Sequence, residues 1–509
     1  MEVSQYLFTD VYRHTSPSSC QFSPGTTFFA VAVEDHVIVR VTETMQLVRT
    51  WACRIPTETE TNAARSEIRQ VLWSPDSNYI MACAPRSGCT WIFGLADPSE
   101  SPRAIVQAGS EGLVRSEWSP DSTAVLCFSE QRLRLSIYSI AGAPTSYIES
   151  FKSPSGCHSY RQDRRYFAVA EKHKGKESLA IYDAGDQYNL IRSFPIATHD
   201  VQGVSWSPCG RWIAVWDHRL EYSLHVYSPL GPRLTTFSST APSFIGPDPG
   251  LGVRLLAWGP GGNWLGVGGY DGKVRIIEAD GWRCMSTLDP ARHKRRHDTT
   301  IWTEPLDWYI DAAEQGPITL SRNTGEITWN TVSSQAGRVK EAIGVVHLEW
   351  NADGTSLFVH SENTPNDVHI FDFLPYPSAS GPAEIRIQTI LHLSEPVRQA
   401  KWNPARLQCI AVVTLAAEEN LRGTGSGVFL WDGDWEEERS VNPDSRTSGS
   451  AAVIAIPLGS FETHDIRWSP DGDHLCIIDK SRVCIVREST IDDSTPNARA
   501  VTDLSTIAE

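Results

Sequence analysis

The sequence lacks the features of a membrane-spanning, secreted or nucleic-acid-binding protein. No stretch approaches the ~18 consecutive apolar residues of a membrane span. No basic segment followed by an apolar run marks a signal peptide at the N-terminus, and no Asn-x-Ser/Thr glycosylation acceptor occurs. The 45 Lys and Arg residues are outnumbered by 61 Asp and Glu residues, which gives a net charge of −16. Because binding to phosphates requires clustered cations, this acidic balance argues against nucleic acid as the main partner. The missing membrane span, signal peptide and glycosylation site together predict a soluble intracellular protein.

The cysteines lack the spacing of a zinc site or a disulfide framework. There are 11 of them, an odd number, so they cannot all pair within the chain, and none forms a C-x-x-C motif. Most lie in apolar runs, such as residues 81–83 and 475–477. This pattern predicts small buried thiols in a reducing compartment and no bound metal.

Catalytic motifs are also missing. The segment 268–273 has three residues between its glycines where a phosphate-binding loop has four, and Val274 replaces the metal-binding hydroxyl of that loop. Ser426 lacks the flanking glycine spacing of a nucleophile elbow, and no H-E-x-x-H zinc motif occurs. We therefore predict a protein without catalytic activity or cofactor.

Tryptophan is abundant, with 18 residues against four methionines. An aromatic residue recurs before Ser-Pro-Asp or a degenerate form of it, and most spacings are near the ~40–50 residue period of a β-propeller blade. The nine aromatic anchors are Phe22, Trp73, Trp118, Tyr160, Trp206, Trp258, Trp350, Trp402 and Trp468. We predict that each anchor packs between adjacent blades.

The sixth repeat shows the content of one unit. Gly-rich turns separate short segments of alternating apolar residues, and no helical period is present. The predicted strands are 253–258, 264–268, 273–277 and 283–288. Four short antiparallel strands are typical of a propeller blade. The sequence thus predicts an all-β fold, a β-propeller of about nine four-stranded blades over residues 5–488.

The two ends of the propeller are predicted to meet. The last repeat supplies only three strands, and residues 5–9 precede the first repeat without a unit of their own. We expect residues near Tyr6 and Phe8 to pair with the strand around residues 483–486 and close one ring, since an open edge strand invites aggregation. Two smaller rings are the alternative.

Two gaps between anchors exceed the blade period. Residues 289–344 form either a decayed blade or an excursion between ordinary blades, and we favour the excursion. This gap holds a basic run in which Lys294, Arg295 and Arg296 either form a solvated loop or dock an acidic partner. Residues 433–450 are a polar insertion, and residues 489–509 are predicted to be an acidic flexible tail.

Several stretches resemble the WRAP-type family of WD-repeat proteins, also called WD-repeat protein eight, found at centrosomes, centriolar satellites and spindle poles. The most specific is the Ile-Ala-Val-Trp-Asp motif of residues 213–217 followed by Leu-Glu-Tyr at 220–222. Residues 265–277 and 365–372 add to it. The resemblance covers about residues 5–486.

The resemblance implies a non-catalytic scaffold in the cytoplasm and cytoskeleton, at the spindle pole body or microtubule-organising centre, with a nuclear location during mitosis left open. Such a scaffold acts with a coiled-coil anchoring protein and a minus-end-directed kinesin to anchor microtubule minus ends and organise the spindle. The implied partner contacts are Trp216, Asp217, Glu221 and Tyr222; the alternative is that Trp216 and Asp217 only hold a strand and turn together.

Two other protein classes are alternatives to the scaffold. A propeller-type translation initiation factor, similar to initiation factor two A, would need a long basic or helical extension after the propeller. Only a short, mostly acidic segment follows Val486 here. A propeller-bearing hydrolase would need a separate α/β domain with a nucleophile elbow. Both comparisons favour the scaffold.

Overall fold

The structure is a computed structural model that describes part of the chain. The described residues are 6–55, 67–130, 134–241, 244, 248–291, 299–305, 308, 317–323, 344–373, 385–415, 427–433, 450–456 and 461–488. These residues form β-strands almost throughout, with short 3₁₀ turns at Pro17–Ser19, Pro85–Ser87 and Gly109–Glu111. The basic run with Lys294, Arg295 and Arg296, the segment 489–509 and most of 433–450 lie outside the described residues.

The first half of the described chain forms four-stranded antiparallel sheets in chain order, preceded by two short strands, β1 (Tyr6–Phe8) and β2 (Tyr12–Arg13). Blade one contains β3 (Cys20–Phe22), β4 (Phe28–Val33), β5 (His36–Val41) and β6 (Leu47–Ala52). Blade two contains β7 (Gln70–Trp73), β8 (Tyr79–Ala84), β9 (Cys89–Gly94) and β10 (Ala104–Gln107). Blade three contains β11 (Arg115–Trp118), β12 (Ala124–Phe128), β13 (Arg134–Ser139) and β14 (Ser146–Glu149).

The next three blades repeat this order. Blade four contains β15 (His158–Tyr160), β16 (Tyr166–His173), β17 (Lys176–Asp183) and β18 (Asn189–Pro195). Blade five contains β19 (Gly203–Trp206), β20 (Ile213–Trp216), β21 (Ser223–Tyr227) and β22 (Arg233–Ser238). Blade six contains β23 (Val253–Trp258), β24 (Trp264–Gly269), β25 (Val274–Glu278) and β26 (Arg283–Leu288).

The last three blades carry additional strands on their outer edges. The excursion supplies β27 (Thr300–Thr303), β28 (Ile318–Thr319) and β29 (Ser321–Asn323). Blade seven contains β30 (Val345–Trp350), β31 (Ser356–Ser361), β32 (Thr364–Phe373) and β33 (Ile385–His392). Blade eight contains β34 (Val397–Trp402), β35 (Cys409–Thr414), β36 (Gly427–Asp432) and β37 (Ser450–Ala455). Blade nine contains β38 (Asp465–Trp468), β39 (His474–Ile478) and β40 (Arg482–Glu488).

The described strands of the excursion cover edges of neighbouring blades. Strand β27 pairs in parallel with the outer strand β33 of blade seven, and β29 pairs with β27. Strand β28 pairs with the outer strand β37 of blade eight. The two edges therefore have paired backbone groups, whereas the outer strands of blades one to six have no further partner strand among the described residues.

The N-terminal strands complete blade nine. Phe8 lies opposite Val486 and Tyr6 opposite Glu488, while Tyr12 in β2 lies opposite Val483. The predicted closure by the N-terminal segment is confirmed. Tyr6 pairs with Glu488, two residues beyond the expected partner segment 483–486. The second N-terminal strand, β2, was not predicted.

One closed ring follows from the arrangement of the hydrophobic clusters. Nine buried clusters each draw their side chains mainly from two neighbouring blades. Eight of them fill the seams from that between blades one and two to that between blades eight and nine. The ninth joins blade nine to blade one, where Cys476 and Ile485 pack with Cys20 and Phe29. Two separately closed rings would break this cycle, so the prediction of about nine blades in one ring is confirmed.

The Ser-Pro-Asp turns join the first two strands of a blade. In blade three, the Ser119 hydroxyl accepts the backbone N–H of Ala124 and donates to the Asp121 carboxylate, which also accepts the N–H of Thr123. Ser122 between them has a φ of 63°. The serine and the aspartate satisfy the backbone donors of a tight turn, which explains why this tripeptide repeats.

The anchor tryptophans connect the inner strands of neighbouring blades. The indole N–H of Trp118 donates to the carbonyl of Leu72, the residue before anchor Trp73 in the preceding blade, at 3.1 Å. The same bond, to the residue before the preceding anchor, is made by Trp73, Trp350, Trp402 and Trp468. These anchors therefore pack between blades as predicted and also fix the spacing of the inner strands.

Candidate protein-interaction surface

The Ala-Val-Trp-Asp motif ends strand β20 and leads into the β20–β21 hairpin. Asp217 is 1% exposed, and its carboxylate accepts the backbone N–H groups of His199, Asp200 and His218, each at 2.8 Å. This side chain therefore satisfies the backbone of two loops. Trp216 is half-buried, and its ring lies against Gly203 of β19, where a Cβ would collide with it. Glycine at this position is what lets the indole pack across the strand.

Tyr222 belongs to a buried cation–π cluster. It is 3% exposed, and the Arg275 guanidinium lies 4.6 Å from its ring centroid and 4.5 Å from that of Phe244. Asp271 accepts from Arg275 at 2.8 Å and neutralises the buried cation. Burial raises the pKa of the Tyr222 phenol, with Arg275 acting in the opposite direction. The cluster ties blade five to blade six.

The four residues predicted to contact a partner thus differ in accessibility. Glu221 is exposed and Trp216 is half-buried, whereas Asp217 and Tyr222 are buried. A partner at this hairpin would reach Glu221 and part of the Trp216 ring, while Asp217 and Tyr222 would hold the hairpin in place. Partner binding at these positions stays a prediction.

The inner strands carry charged side chains that pair with one another. Arg115 contacts Glu117 at 2.5 Å, and Glu117 contacts His158 of the next blade at 3.2 Å. Burial acts to raise the pKa of Glu117, but His158 and Arg115 lower it below its ordinary value. On blade nine, Arg467 pairs with Asp465 at 3.0 Å and donates to the carbonyl of Cys20 in blade one at 2.6 Å. These charges stabilise the seams between blades.

The cysteines are free thiols, and all but Cys209 and Cys284 are buried. Burial raises the pKa of the Cys20 thiol to about 12, with Arg467 opposing it. Such thiols are poor nucleophiles. Among the described residues, no group of three or more His, Cys, Asp or Glu side chains is placed to hold a metal ion. Within the same part of the chain, none of the helices is long and apolar enough to cross a membrane.

Exposed apolar side chains are concentrated on blades four and five. The large apolar residues with the highest exposure there are Leu190, Ile191, Leu220, Leu230 and Leu234. Their exposure could not be recognised from the sequence, because an apolar residue in a predicted outer strand gives no sign of which face it occupies. Leu220 lies in the β20–β21 hairpin, at the other end of the blade from Leu190 and Leu230.

One repeat of the chain matches a known family model. A family model described as "WD domain, G-beta repeat" matches residues 243–278. The matched segment contains the first three strands of blade six, β23, β24 and β25. The match therefore places a WD repeat in blade six of this chain. The described strands of the other blades repeat the same antiparallel order.

Two curated WD-repeat proteins match nearly the whole chain. The chain is 27% identical over 484 residues to "WD repeat-containing protein WRAP73" of Mus musculus, covering 92% of each protein. It is 19% identical over 477 residues to an uncharacterised WD repeat-containing protein of Schizosaccharomyces pombe, covering 91% of this chain and 87% of that protein. The predicted resemblance to the WRAP-type WD-repeat proteins is confirmed.

Two solved WD-repeat domains show a weaker likeness. The β-propeller domain of Myceliophteria thermophila Cps50 (Swd1) has a TM-score of 0.38 and 11% identity, covering 95% of this chain and 100% of that chain. The C-terminal WD40 domain of Sif2 has a TM-score of 0.45 and 12% identity, covering 89% of this chain and 99% of that chain. The propeller assignment rests on the strand pairing described above.

Proposed function

We propose that this WD-repeat scaffold acts at the spindle pole or microtubule-organising centre. It binds a coiled-coil anchoring protein and a minus-end-directed kinesin, and together they anchor microtubule minus ends and organise the spindle. The observation that carries the proposal is the similarity to WRAP73 over 92% of both chains. Similarity over nearly the whole chain supports a shared role more strongly than similarity in a single repeat does.

The ring suits such work physically. Nine seams with buried cores hold the blades rigidly, while hairpin turns at both ends of each blade are accessible to partners. Several partners can therefore bind separate sectors without competing. The proposal includes no catalytic step, in keeping with the missing nucleophile and phosphate-loop motifs.

The proposal is tested by recovering partners of the tagged full-length protein from dividing cells. We expect spindle-pole proteins, among them a coiled-coil protein and a minus-end-directed kinesin, and loss of spindle focus when the protein is depleted. Recovery of ribosomes and initiation factors instead would contradict the proposal and favour the translation-factor class. The purified protein should also show no nucleotide hydrolysis above that of a heat-denatured sample.

A further inference from the structure

The outer edge of blades four and five exposes an apolar cluster. Leu190 and Ile191 begin the outer strand β18 and are 56% and 53% exposed. Leu230 lies in the β21–β22 turn and is 69% exposed, and Leu234 in β22 is 46% exposed. Soluble proteins seldom leave large apolar side chains grouped at this exposure unless a partner covers them.

The two halves of this cluster meet across the seam between the blades. The Arg192 guanidinium in β18 donates a hydrogen bond to the backbone carbonyl of Leu230. A Cβ built on Gly231 would lie 3.6 Å from Cδ1 of Phe194, also in β18. The start of β18 and the β21–β22 turn therefore form one continuous surface, which we name the blade 4–5 edge: Leu190, Ile191, Arg192, Leu230, Arg233 and Leu234.

Four exposed arginines without a carboxylate partner lie around this edge, although the exposed carboxylates of Asp163 and Asp186 lie in the adjoining turns. Arg164, Arg192, Arg211 and Arg233 are exposed, and within the described ranges none of them pairs with a carboxylate. Arg211 instead lies 4.5 Å from the Trp212 ring centroid. Exposed arginines without a carboxylate partner are available to form charge-assisted hydrogen bonds with carboxylates of another molecule.

Arg164 and Arg211 lie at the same end of the blades as the apolar cluster. Arg164 is in the β15–β16 turn, and its neighbour Arg165 pairs with Asp183, the last residue of β17, at 3.0 Å. The β15–β16 turn and the β17–β18 turn therefore adjoin. Arg211 occupies the equivalent β19–β20 turn of blade five.

The charge of this sector is opposite to that of the whole chain. Residues 151–240 contain 11 Lys and Arg residues against 8 Asp and Glu residues, which leaves 34 against 53 in the rest of the chain. An acidic partner would be repelled by most of the molecule and attracted to this sector. The charge distribution therefore favours blades four and five over the rest of the ring as the place where an acidic partner docks.

The outer strand β6 of blade one is equivalent to β18, but it adjoins a different turn of the next blade. Leu47 and Leu190 occupy equivalent positions before a bulge, and Arg49 and Arg192 occupy equivalent positions after it. Arg49 also donates to a carbonyl of the next blade, that of Leu95, at 3.4 Å. The turn after Leu95, however, carries Asp97 and Glu100 before Arg103, whereas in blade five Leu230 lies in the turn and Arg233 and Leu234 begin β22.

We infer that the blade 4–5 edge docks an acidic amphipathic segment of a partner protein. Carboxylates of the segment pair with Arg192 and Arg233, and its apolar side chains pack on Leu190, Leu230 and Leu234. Arginine and large apolar side chains together are typical of interface hot spots. The apolar cluster favours a protein over a phosphate polymer, which has no apolar side chains to cover it. The inference rests on the proposed function only in assuming a protein partner.

The test uses the full chain and a labelled synthetic helical peptide with Leu and Glu on one face. The variant L190S/R192E is compared with the matched control L47S/R49E, and both are checked for an unchanged melting temperature. We expect the first to lower peptide affinity by about tenfold or more, equivalent to ~1.4 kcal/mol, and the control by less than about twofold. The variant R233E/L234S in blade five should reproduce the loss, and added salt should weaken wild-type binding.

Several outcomes would overturn the inference. These are equal losses in both matched variants, no binding of the peptide by the wild type, and equal binding of a peptide with Lys in place of Glu. Inorganic polyphosphate that competes through Arg192 and Arg233 but is unaffected by L190S would assign the edge to a phosphate ligand. Sedimentation that shows self-association abolished by L190S/R192E would assign it to a second copy of the chain. Each result is independent of whether spindle-pole proteins are recovered, so the proposed function can fail separately.

Discussion

Blades two, three and nine differ from blades five and six in how the same anchor residue is bonded. In the first group, the indole N–H of Trp73, Trp118 or Trp468 donates to the inner strand of the preceding blade. In the second group, the buried indole N–H groups of Trp206 and Trp258 have no hydrogen-bond partner among the described residues. Tryptophan therefore occupies the anchor position both where its indole N–H is hydrogen-bonded and where it is not.

The comparison separates two contributions of the anchor. The ring fills the seam between blades in both groups, since Trp118 and Trp206 are 8% and 6% exposed. The hydrogen bond is present in the first group and also in blades seven and eight, where Trp350 and Trp402 donate in the same way although their turns lack the complete Ser-Pro-Asp sequence. Packing therefore explains why tryptophan recurs, and hydrogen bonding explains why some seams should be stronger than others.

The seam between blades nine and one belongs to neither group, because its anchor Phe22 has no N–H. Arg467 donates to the Cys20 carbonyl there instead, and the N-terminal strands add side chains. Tyr6 and Phe8 pack against the cluster of blades eight and nine, and Tyr12 against that of blades nine and one. A single peripheral segment thus supports two seams.

Deletion of residues 1–13 should have the largest effect of the changes considered. It removes three partly buried aromatic side chains, each contributing on the order of 1–2 kcal/mol, from a protein whose net stability is on the order of 5–15 kcal/mol. It also exposes the edge of β40, where Thr9 and Ile485 exchange hydrogen bonds of 2.9 and 3.0 Å. We expect aggregation, measured as loss of the monomer peak in size-exclusion chromatography.

Deletion of residues 490–509 is the control, because the described part of β40 ends at Glu488. That truncation should leave the monomer yield and the melting temperature unchanged. A soluble, monomeric protein after removal of residues 1–13, with the melting temperature of the intact chain, would show that the ring does not depend on this closure.

The sequence predicted the blades well because their pattern is local. Apolar alternation and the Ser-Pro-Asp turns each lie within one repeat, so the strands β23 to β26 could be placed within a residue or two of their observed bounds. The closing strand was predicted because one blade lacked a partner. Its register was not, since apolar residues on both strands permit more than one alignment.

Pairings between distant segments could not be predicted. Strands β27 and β28 are four and two residues long, and they pair with β33 and β37 far along the chain. Nothing in so short a segment specifies its partner. The same limit applies to the candidate surface, because the exposure of Leu190 and Leu230 depends on how two blades meet.

Replacing the anchor tryptophan with phenylalanine should distinguish the two groups of blades. Trp118→Phe keeps most of the ring but leaves the part-buried Leu72 carbonyl without the indole donor, whereas Trp206→Phe removes an N–H that has no partner among the described residues. Both substitutions leave a small cavity. We expect Trp118→Phe to cost about 1 kcal/mol more, measured from the midpoints of guanidinium unfolding. An equal or greater loss for Trp206→Phe would contradict the distinction.

The smallest effect concerns acid sensitivity of the turns. Partial burial acts to raise the pKa of Asp121, but hydrogen bonds from Ser119 and Thr123 hold it below its ordinary value of 3.8. A carboxylate whose pKa is lowered by folding stabilises the protein above that ordinary value, and this contribution is lost as the pH falls through the lowered pKa. In blade five Cys209 occupies the equivalent position, and its thiol lies 3.2 Å from the Ser207 hydroxyl.

Reciprocal substitutions should therefore move this acid sensitivity from one blade to another. Asp121→Asn should lower stability at neutral pH by less than about 1 kcal/mol, because the exposed carboxylate is screened by solvent, and should flatten the decline in unfolding midpoint below pH ~4. Cys209→Asp completes a Ser-Pro-Asp turn in blade five and should steepen that decline while raising stability at neutral pH. Cys209→Asn is the uncharged control. If the Asp and Asn variants at 209 have parallel pH profiles, the hydrogen-bonded turn does not depend on its carboxylate charge.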